Sequence, residues 1–165
     1  MQNNNEKKII TYHIGGRAGS IVFPKIKKFK HEISHYIFDA DESCIDQIKD
    51  QWTNAEVFPY FIGENDKKIE FLINYCPYTS SKFNFNKKYN DYYLESGKTD
   101  YVLGDVTKTQ KKLTIKTKSL DYLSLNNIIP KADFLSVDTQ GSELEVLNGA
   151  KKLVSNSLLG INCRS

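Results

Sequence analysis

The stretch IITYHIGGRAGS, residues 9–20, joins a short β-branched run to three closely spaced glycines. The run Ile9–Ile14 predicts a buried strand, and Gly15, Gly16 and Gly19 follow it in one loop. Glycine permits a tight turn and lets a ligand approach the backbone closely. In an open α/β sheet, ligands bind at the carboxyl ends of the strands. The stretch therefore predicts either a loop that cradles a nucleotide-type cofactor or a structural turn.

The segments that follow alternate between helical and extended patterns. Residues 20–30 carry apolar side chains at approximately helical spacing, and Tyr36–Asp39 is a second short apolar run. Ser43–Trp52 is helical again, with Ser43 as a candidate cap. Val57–Ile62 predicts a third strand. This β-α-β-α-β order indicates a parallel, doubly wound sheet.

The second half returns to this alternation after an irregular middle. Residues 75–101 are rich in Tyr, Phe, Asn and Lys without a clean period, which predicts a long loop or hairpin arm. Ser119 is expected to cap the helix that follows. The remaining predicted elements are strands at Lys68–Ile73, Leu113–Lys118, Phe134–Asp138 and Leu158–Cys163, and helices at Leu120–Asn127 and Ser142–Ser155. With no internal repeat, residues 1–165 are expected to form a single domain.

Composition disfavours several classes of protein. The net charge of +3 comes from scattered lysines rather than a basic stripe, so we expect no nucleic-acid partner. The three cysteines, Cys44, Cys76 and Cys163, are far apart and form no C-x-x-C pair, which fits a reducing compartment. No apolar run approaches the roughly 20 residues of a membrane helix, and the N-terminus lacks a signal-peptide pattern. We expect a cytoplasmic protein with no membrane partner.

An acid stands where the second predicted strand ends. Asp39 lies 24 positions after Gly15, and an acid at that place commonly binds ribose hydroxyls. Asp41 is a nearby alternative, although it also suits the start of the next helix. The pattern G-x-G-x-x-G is not met, so a dinucleotide dehydrogenase is disfavoured.

The stretch ADFLSVDTQGSELEVLNGAKKL, residues 132–153, combines a buried strand, a glycine turn and a helix. Asp138 ends the strand on the expected ligand edge, and Glu143 lies in the first helical turn. Ser142 and Glu145 match a capping box, so Glu145 is expected to cap the helix rather than to take part in chemistry.

Residues 133–150 are close to the pattern D-F-L-K-I-D-x-Q/E-G-x-E-x-x-V/I-L-x-G-A, and on this block the chain resembles the FkbM-type methyltransferases. The preceding Ser119-Leu120-Asp121 and the IFDAD segment at 37–41 are also similar to that family. The resemblance implies a Rossmann-like doubly wound, mostly parallel sheet with a hairpin or loop insertion in the middle. It also implies S-adenosylmethionine as cofactor and O-methylation of a saccharide or small-metabolite hydroxyl.

The resemblance also assigns candidate roles to particular residues. The cofactor would lie across Gly15, Gly16, Arg17 and Gly19, with Asp39 at its ribose. Asp138 is the candidate base for the acceptor hydroxyl, and Glu143 is a weaker candidate. No metal ligand is assigned.

The glycine loop departs from the family pattern D-x-G-A-N-x-G at positions that bear on cofactor binding. His13 stands in place of the acid, and Arg17 stands in place of the asparagine. The family continues with further strands, so at Ser165 the sheet is expected to be incomplete at the C-terminus. A non-catalytic remnant of the fold that acts as a binding module is the alternative; oligomeric state is left open.

Two further stretches suggest other functions. His31-Glu32-Ile33-Ser34-His35 matches the zinc motif H-E-x-x-H, which requires both histidines on one helix. A strand is expected to begin at Tyr36, so the two histidines are expected in the connection before it and no metal site is expected. A zinc hydrolase is therefore kept only as the third hypothesis. Residues 75–93 mix aromatic side chains with lysines and could bind the acceptor.

Overall fold

The computed structural model describes residues 8–17, 29, 31–52, 54–86, 88 and 103–164. Gly19, most of the helix predicted at 20–30 and residues 89–101 of the predicted arm lie outside the described residues. The elements are β1 Ile9–Ile14, β2 Ile33–Phe38, α1 Ile45–Gln51, β3 Ala55–Phe58, β4 Phe61–Ile62, β5 Lys68–Asn74, α2 Leu103–Val106, β6 Thr109–Lys118, α3 Leu120–Leu125, β7 Phe134–Val137, α4 Glu143–Asn148, α5 Lys151–Asn156 and β8 Gly160–Cys163.

The main sheet is parallel and has five strands in the order β3-β2-β1-β7-β8. Strand β1 lies at the centre, where Ile14 pairs with Phe38 of β2 on one side and with Val137 of β7 on the other. From β1 the chain first adds strands on one side and later on the other, which makes the β1–β7 boundary the topological switch point. The expected α/β, Rossmann-like, doubly wound sheet is confirmed.

A smaller sheet lies between β3 and α3 in the chain. Strands β5 and β6 form an antiparallel pair, and β4 pairs in parallel with β6. The predicted single strand Val57–Ile62 is wrong, because it divides at Pro59 into β3 and β4, which belong to different sheets. Proline has no backbone N–H and cannot donate to a strand ladder.

Two apolar cores cover the two faces of the main sheet. Tyr12, Phe38 and Leu135 face helices α3, α4 and α5 in the larger core. Ile37 faces α1 in the smaller core, packed with Ile48 and Trp52. The alternation of a strand explains the division, because neighbouring residues such as Ile37 and Phe38 point to opposite faces.

The predicted helix starts are only partly confirmed. The Ser119 side chain caps α3 by accepting a hydrogen bond from the Tyr122 amide at 3.1 Å, as expected. Ser43 does not cap its helix; the Asp41 side chain accepts from the Ser43 amide at 3.0 Å instead. A carboxylate accepts at this position as well as a hydroxyl does.

The predicted helix Ser142–Ser155 divides at Gly149 into α4 and α5. A Cβ on Gly149 would lie 2.1 Å from the Gly63 carbonyl oxygen, so the chain there packs against backbone. The first turn of α5 is capped by a residue distant in the sequence. The Asp121 carboxylate accepts hydrogen bonds from the amides of Lys152 and Leu153 at 2.9 and 3.0 Å.

The capping box predicted at Ser142 is also wrong. Ser142 makes no capping hydrogen bond with its side chain, and Glu145 forms an ion pair with Lys82. The partner of the Glu145 carboxylate is therefore Lys82, 63 positions away, and not the backbone amide of Ser142 that a capping box requires.

The HEISH segment does not form the helix that its zinc motif requires. Strand β2 begins at Ile33, so the expectation that His35 lies in a connection is wrong. His35 is buried, and its Nδ1 is hydrogen-bonded to Thr11 Oγ1 at 2.7 Å. In the described part of the chain, no group of three or more His, Cys, Asp or Glu side chains is placed to hold a metal ion. None of the described helices is long and apolar enough to cross a membrane.

His13 is buried in the middle of the sheet on the same face as His35. Within the described residues neither of its ring nitrogens makes a hydrogen bond. Burial lowers the pKa of His13 to about 4 and outweighs the nearby Gly15 backbone, which acts to raise that pKa. Burial also lowers the pKa of His35. Both imidazoles are therefore neutral in the folded protein near pH 7.

We expect the free energy of unfolding to decrease as pH falls from about 6.5 towards 4. The unfolded chain binds protons at His13 in this window and the folded chain does not, so acid favours unfolding, by up to about 3 kcal/mol from this residue. Urea unfolding followed over this pH range, with His13→Leu against His31→Asn as control, measures the effect. An unchanged pH slope in His13→Leu would contradict the prediction.

Candidate functional site

A cavity of about 650 Å³ lies at the carboxyl ends of β1, β2 and β7, beside the switch point. The smaller sheet and the segment Pro77–Lys82 close its other side. The lining residues are Ile14, Gly15, Arg17, Phe38, Asp39, Ala40, Asp41, Tyr60, Phe61, Ile62, Phe71, Pro77, Tyr78, Ser80, Ser81, Lys82, Asp138, Thr139, Gln140, Gly141, Ser142, Glu143 and Arg164. Its volume is within the range of small-molecule and cofactor sites.

Gly15 joins the two halves of this site. Its φ of +87° is a conformation that side chains disfavour, and an added Cβ would lie only 2.0 Å from the Asp138 carbonyl oxygen. The Asp138 amide donates to the Ile14 carbonyl at 2.9 Å. The glycine turn after β1 and the acid after β7 are therefore in backbone contact.

Gly16 has a different place from the one expected of a cofactor-binding residue. It is absent from the cavity lining, and a Cβ there would lie 2.3 Å from Ile37 Cγ2 and 3.2 Å from Ile48 Cδ1. Its missing side chain allows the turn to pack onto the sheet and α1.

Asp39 lies at the cavity with both carboxylate oxygens engaged by backbone. Oδ2 accepts from the Arg17 amide at 3.1 Å, and Oδ1 accepts from the Asp41 amide at 3.0 Å. Burial raises the pKa of Asp39, although these hydrogen bonds and the Arg17 charge oppose the effect. The Cys44 thiol also hydrogen-bonds to this carboxylate. A carboxylate has about four acceptor positions, so capacity remains for a hydroxyl donor.

Arg17 lines the cavity, but its guanidinium already has an anionic partner. Its Nη2 is paired with Asp41 Oδ2, and the two side chains are only 16% and 17% exposed. Asp41 is held in turn by the Ser43 hydroxyl, which donates to Oδ1 at 2.6 Å. The sequence indicated each of these residues without indicating that they form a pair.

Asp138 and Glu143 line the cavity from the turn after β7, and β1 separates that turn from the end of β2, where Asp39 lies. Asp138 Oδ2 lies 3.4 Å from Nη1 of Arg164, a long contact, and its side chain is 14% exposed. Glu143 Oε1 accepts from the Thr139 hydroxyl at 3.0 Å and from the Gly141 amide at 3.2 Å. Glu143 is thus occupied in holding the turn, whereas Asp138 keeps more of its acceptor capacity.

The segment Ser80–Phe83, called the strap below, attaches the smaller sheet to the turn after β7. The Ser81 hydroxyl donates to the Gln140 carbonyl at 2.6 Å, and Lys82 pairs with Glu145. The Phe83 ring lies against Gly141, where a Cβ would meet it at 3.2 Å. The strap was not predicted residue by residue; its only sequence signal is the polar and aromatic composition of residues 75–93.

Charge around the cavity is weighted towards acid. Four carboxylates line it, from Asp39, Asp41, Asp138 and Glu143, against the three cations Arg17, Lys82 and Arg164. All three cations form ion pairs, with Asp41, Glu145 and Asp138, which leaves the Asp39 and Glu143 carboxylates of the lining outside these pairs. Such a lining favours a ligand that carries positive charge.

The strand order and the cavity at the switch point, with acids at the strand ends, define a Rossmann-like α/β fold. The model of the Methyltransferase FkbM domain matches residues 5–161, and the chain belongs to this family. Comparisons with curated proteins and with solved structures gave no significant match. The family assigns methyltransferase activity in general and leaves the acceptor open.

We expect Gly15→Ala to lower the free energy of unfolding by about 2 kcal/mol or more, because a side chain at this φ is strained and meets the Asp138 carbonyl. Gly63→Ala is the matched control, since its Cβ would make only ordinary contacts, the nearest at 3.6 Å from Thr117. Urea unfolding of both variants measures the difference. Equal stability of the two variants would contradict the role given to Gly15.

Proposed function

We propose that this protein transfers a methyl group from S-adenosylmethionine to a hydroxyl of a saccharide or small metabolite. The observation that carries the proposal is the single cavity onto which Gly15, Asp39, Asp138 and Glu143 all open. These four residues come from three separate parts of the chain. Their convergence at the switch point supports a cofactor on one side and an acceptor on the other.

The residues on the Asp39 side fit the cofactor. Asp39 has acceptor capacity left for ribose hydroxyls, and the partly exposed Tyr60, which also lines the cavity, offers an aromatic ring for a purine. The acidic weighting of the cavity suits the ammonium and sulfonium charges. When bound, the cofactor supplies an electrophilic methyl group on a positively charged sulfur.

The residues on the other side fit an acceptor hydroxyl. Asp138 is our candidate to accept the hydroxyl proton, because it lines the cavity and, among the described residues, its carboxylate is held by a single long contact, to Arg164. Glu143 is the weaker candidate, since one of its oxygens already takes two hydrogen bonds. Holding the hydroxyl in line with the methyl group supplies much of the rate in such transfers.

The segment after β5 supports an acceptor role for part of the aromatic middle. Pro77, Tyr78 and Lys82 line the cavity, as expected of a loop that binds the acceptor. Ring faces and hydroxyl groups, here from Tyr78, Ser80 and Ser81, suit a polar molecule with apolar C–H surfaces such as a saccharide. The acceptor's identity, the lack of a nucleic-acid or membrane partner and the cytoplasmic location stay predictions.

The alternative is a binding module that no longer catalyses transfer. One observation favours it: His13 stands where the family has an acid, is buried in the sheet and does not line the cavity. The two functions differ in turnover, and cofactor binding alone does not separate them.

We expect saturable binding of S-adenosylmethionine, weakened at least tenfold by Asp39→Ala because the ribose hydroxyls and the loop lose their common acceptor. Isothermal titration calorimetry measures it. Glu42→Ala is the matched control, since this acid is exposed and three positions away. Absence of binding by a folded wild-type chain would contradict the proposal.

We expect Asp138→Asn to slow methyl transfer by about 10²-fold or more while the affinity for S-adenosylmethionine changes little, because the amide cannot take the proton. Release of S-adenosylhomocysteine with a panel of hydroxylated acceptors measures turnover. Glu143→Gln should have the smaller effect. Binding of the cofactor without turnover on any acceptor would favour the binding module, and unchanged turnover in Asp138→Asn would remove Asp138 as the base.

A further inference from the structure

Arg17 places a cation in the loop that is proposed to bind a positively charged cofactor. Its guanidinium has two alternative roles. It could bind the carboxylate of the cofactor's amino-acid half directly, or it could act on the protein alone. The contacts of Arg17 distinguish these roles.

The side chain of Arg17 is directed to Asp41, 24 positions away in the chain. The pair is largely buried, with 16% and 17% of the two side chains exposed. A partly buried guanidinium paired with a carboxylate is a strong, geometrically defined contact. Giving it up for a ligand would leave the Asp41 charge without its cationic partner, which is costly for a charge with little exposure to solvent.

The backbones of the same two residues hold Asp39 between them. The Arg17 amide donates to Asp39 Oδ2 at 3.1 Å, and the Asp41 amide donates to Oδ1 at 3.0 Å. The side-chain pair therefore closes a ring of contacts that contains the ribose-binding candidate. Asp41 is itself fixed by the Ser43 amide and hydroxyl, at 3.0 and 2.6 Å.

From these contacts we infer that Arg17 and Asp41 form a loop clamp that positions Asp39 for the nucleoside half of the cofactor, and that Arg17 does not bind the cofactor's carboxylate. Arg17 is thus a positioning residue. The inference rests on the proposed function for the identity of the ligand. The clamp itself is a property of the unliganded chain.

The test compares S-adenosylmethionine with 5′-methylthioadenosine, which keeps the nucleoside and lacks the amino-acid carboxylate. Calorimetry is done on wild type, Arg17→Met, Asp41→Asn and the double variant. Asp41→Asn keeps an oxygen for Ser43 while removing the charge. We expect each single variant to weaken both ligands by the same factor, on the order of tenfold, and the double variant to be no weaker than the singles.

A loss of affinity for S-adenosylmethionine alone in Arg17→Met would overturn the inference and leave the proposed function intact. Binding of neither ligand by the wild type would instead refute the proposed cofactor.

Urea unfolding without ligand tests the clamp in every case. The midpoint should fall in both single variants and no further in the double variant. Lys112 and Glu70 are the control pair, because they are joined at 2.8 Å but are 60% and 55% exposed, so Lys112→Met and Glu70→Gln should leave the midpoint nearly unchanged. Additive effects of Arg17→Met and Asp41→Asn would show that no clamp exists.

Discussion

The contact between the backbones of Gly15 and Asp138 is the constraint on which the site depends. It requires a residue without a Cβ, because the Asp138 carbonyl occupies the place where that atom would lie. It joins the loop after β1 to the end of β7, at the switch point on either side of which the chain adds strands in opposite directions. The two walls of the cavity that carry Asp39 and Asp138 meet there, so their spacing is set by main-chain atoms rather than by flexible side chains.

Much of the sequence that identifies the family serves architecture. Asp121 caps α5 across 31 positions, and Gly149 allows the chain to pack against the Gly63 backbone. Gly141 lies under the Phe83 ring with a φ of +93°. Asp138 and Glu143, the two acids of the 132–153 stretch that were singled out for chemistry, both line the cavity. A strong family motif can thus indicate a fold more directly than it indicates a reaction.

The sheet and the ligand edge were predictable because their signals are local. Apolar runs marked β1 and β7, and the rule that ligands bind at strand ends placed Asp39 and Asp138 at one edge. The errors have physical causes in single residues or distant pairs. Pro59 separates β3 from β4, which belong to different sheets. The Lys82–Glu145 ion pair, which takes the place of the predicted capping box, joins residues 63 positions apart. Ion pairs between residues so far apart produce no periodic pattern in the sequence. The contacts of the strap and the Arg17–Asp41 pair could therefore be found only from the structure.

The pairing of β1 with β7 also has a consequence for how the molecule is made. The amide of Ile10 donates a hydrogen bond to the Asp133 carboxylate, 123 positions later in the chain. The central strand therefore gains its second neighbour only after the chain has been synthesised beyond that residue. Contacts of such long sequence separation close slowly. A nascent chain that has formed β1, β2 and β3 already holds Asp39, but the wall carrying Asp138 does not yet exist. A ligand that spans the cavity would therefore bind and stabilise only chains in which β7 has paired with β1, and not shorter nascent chains.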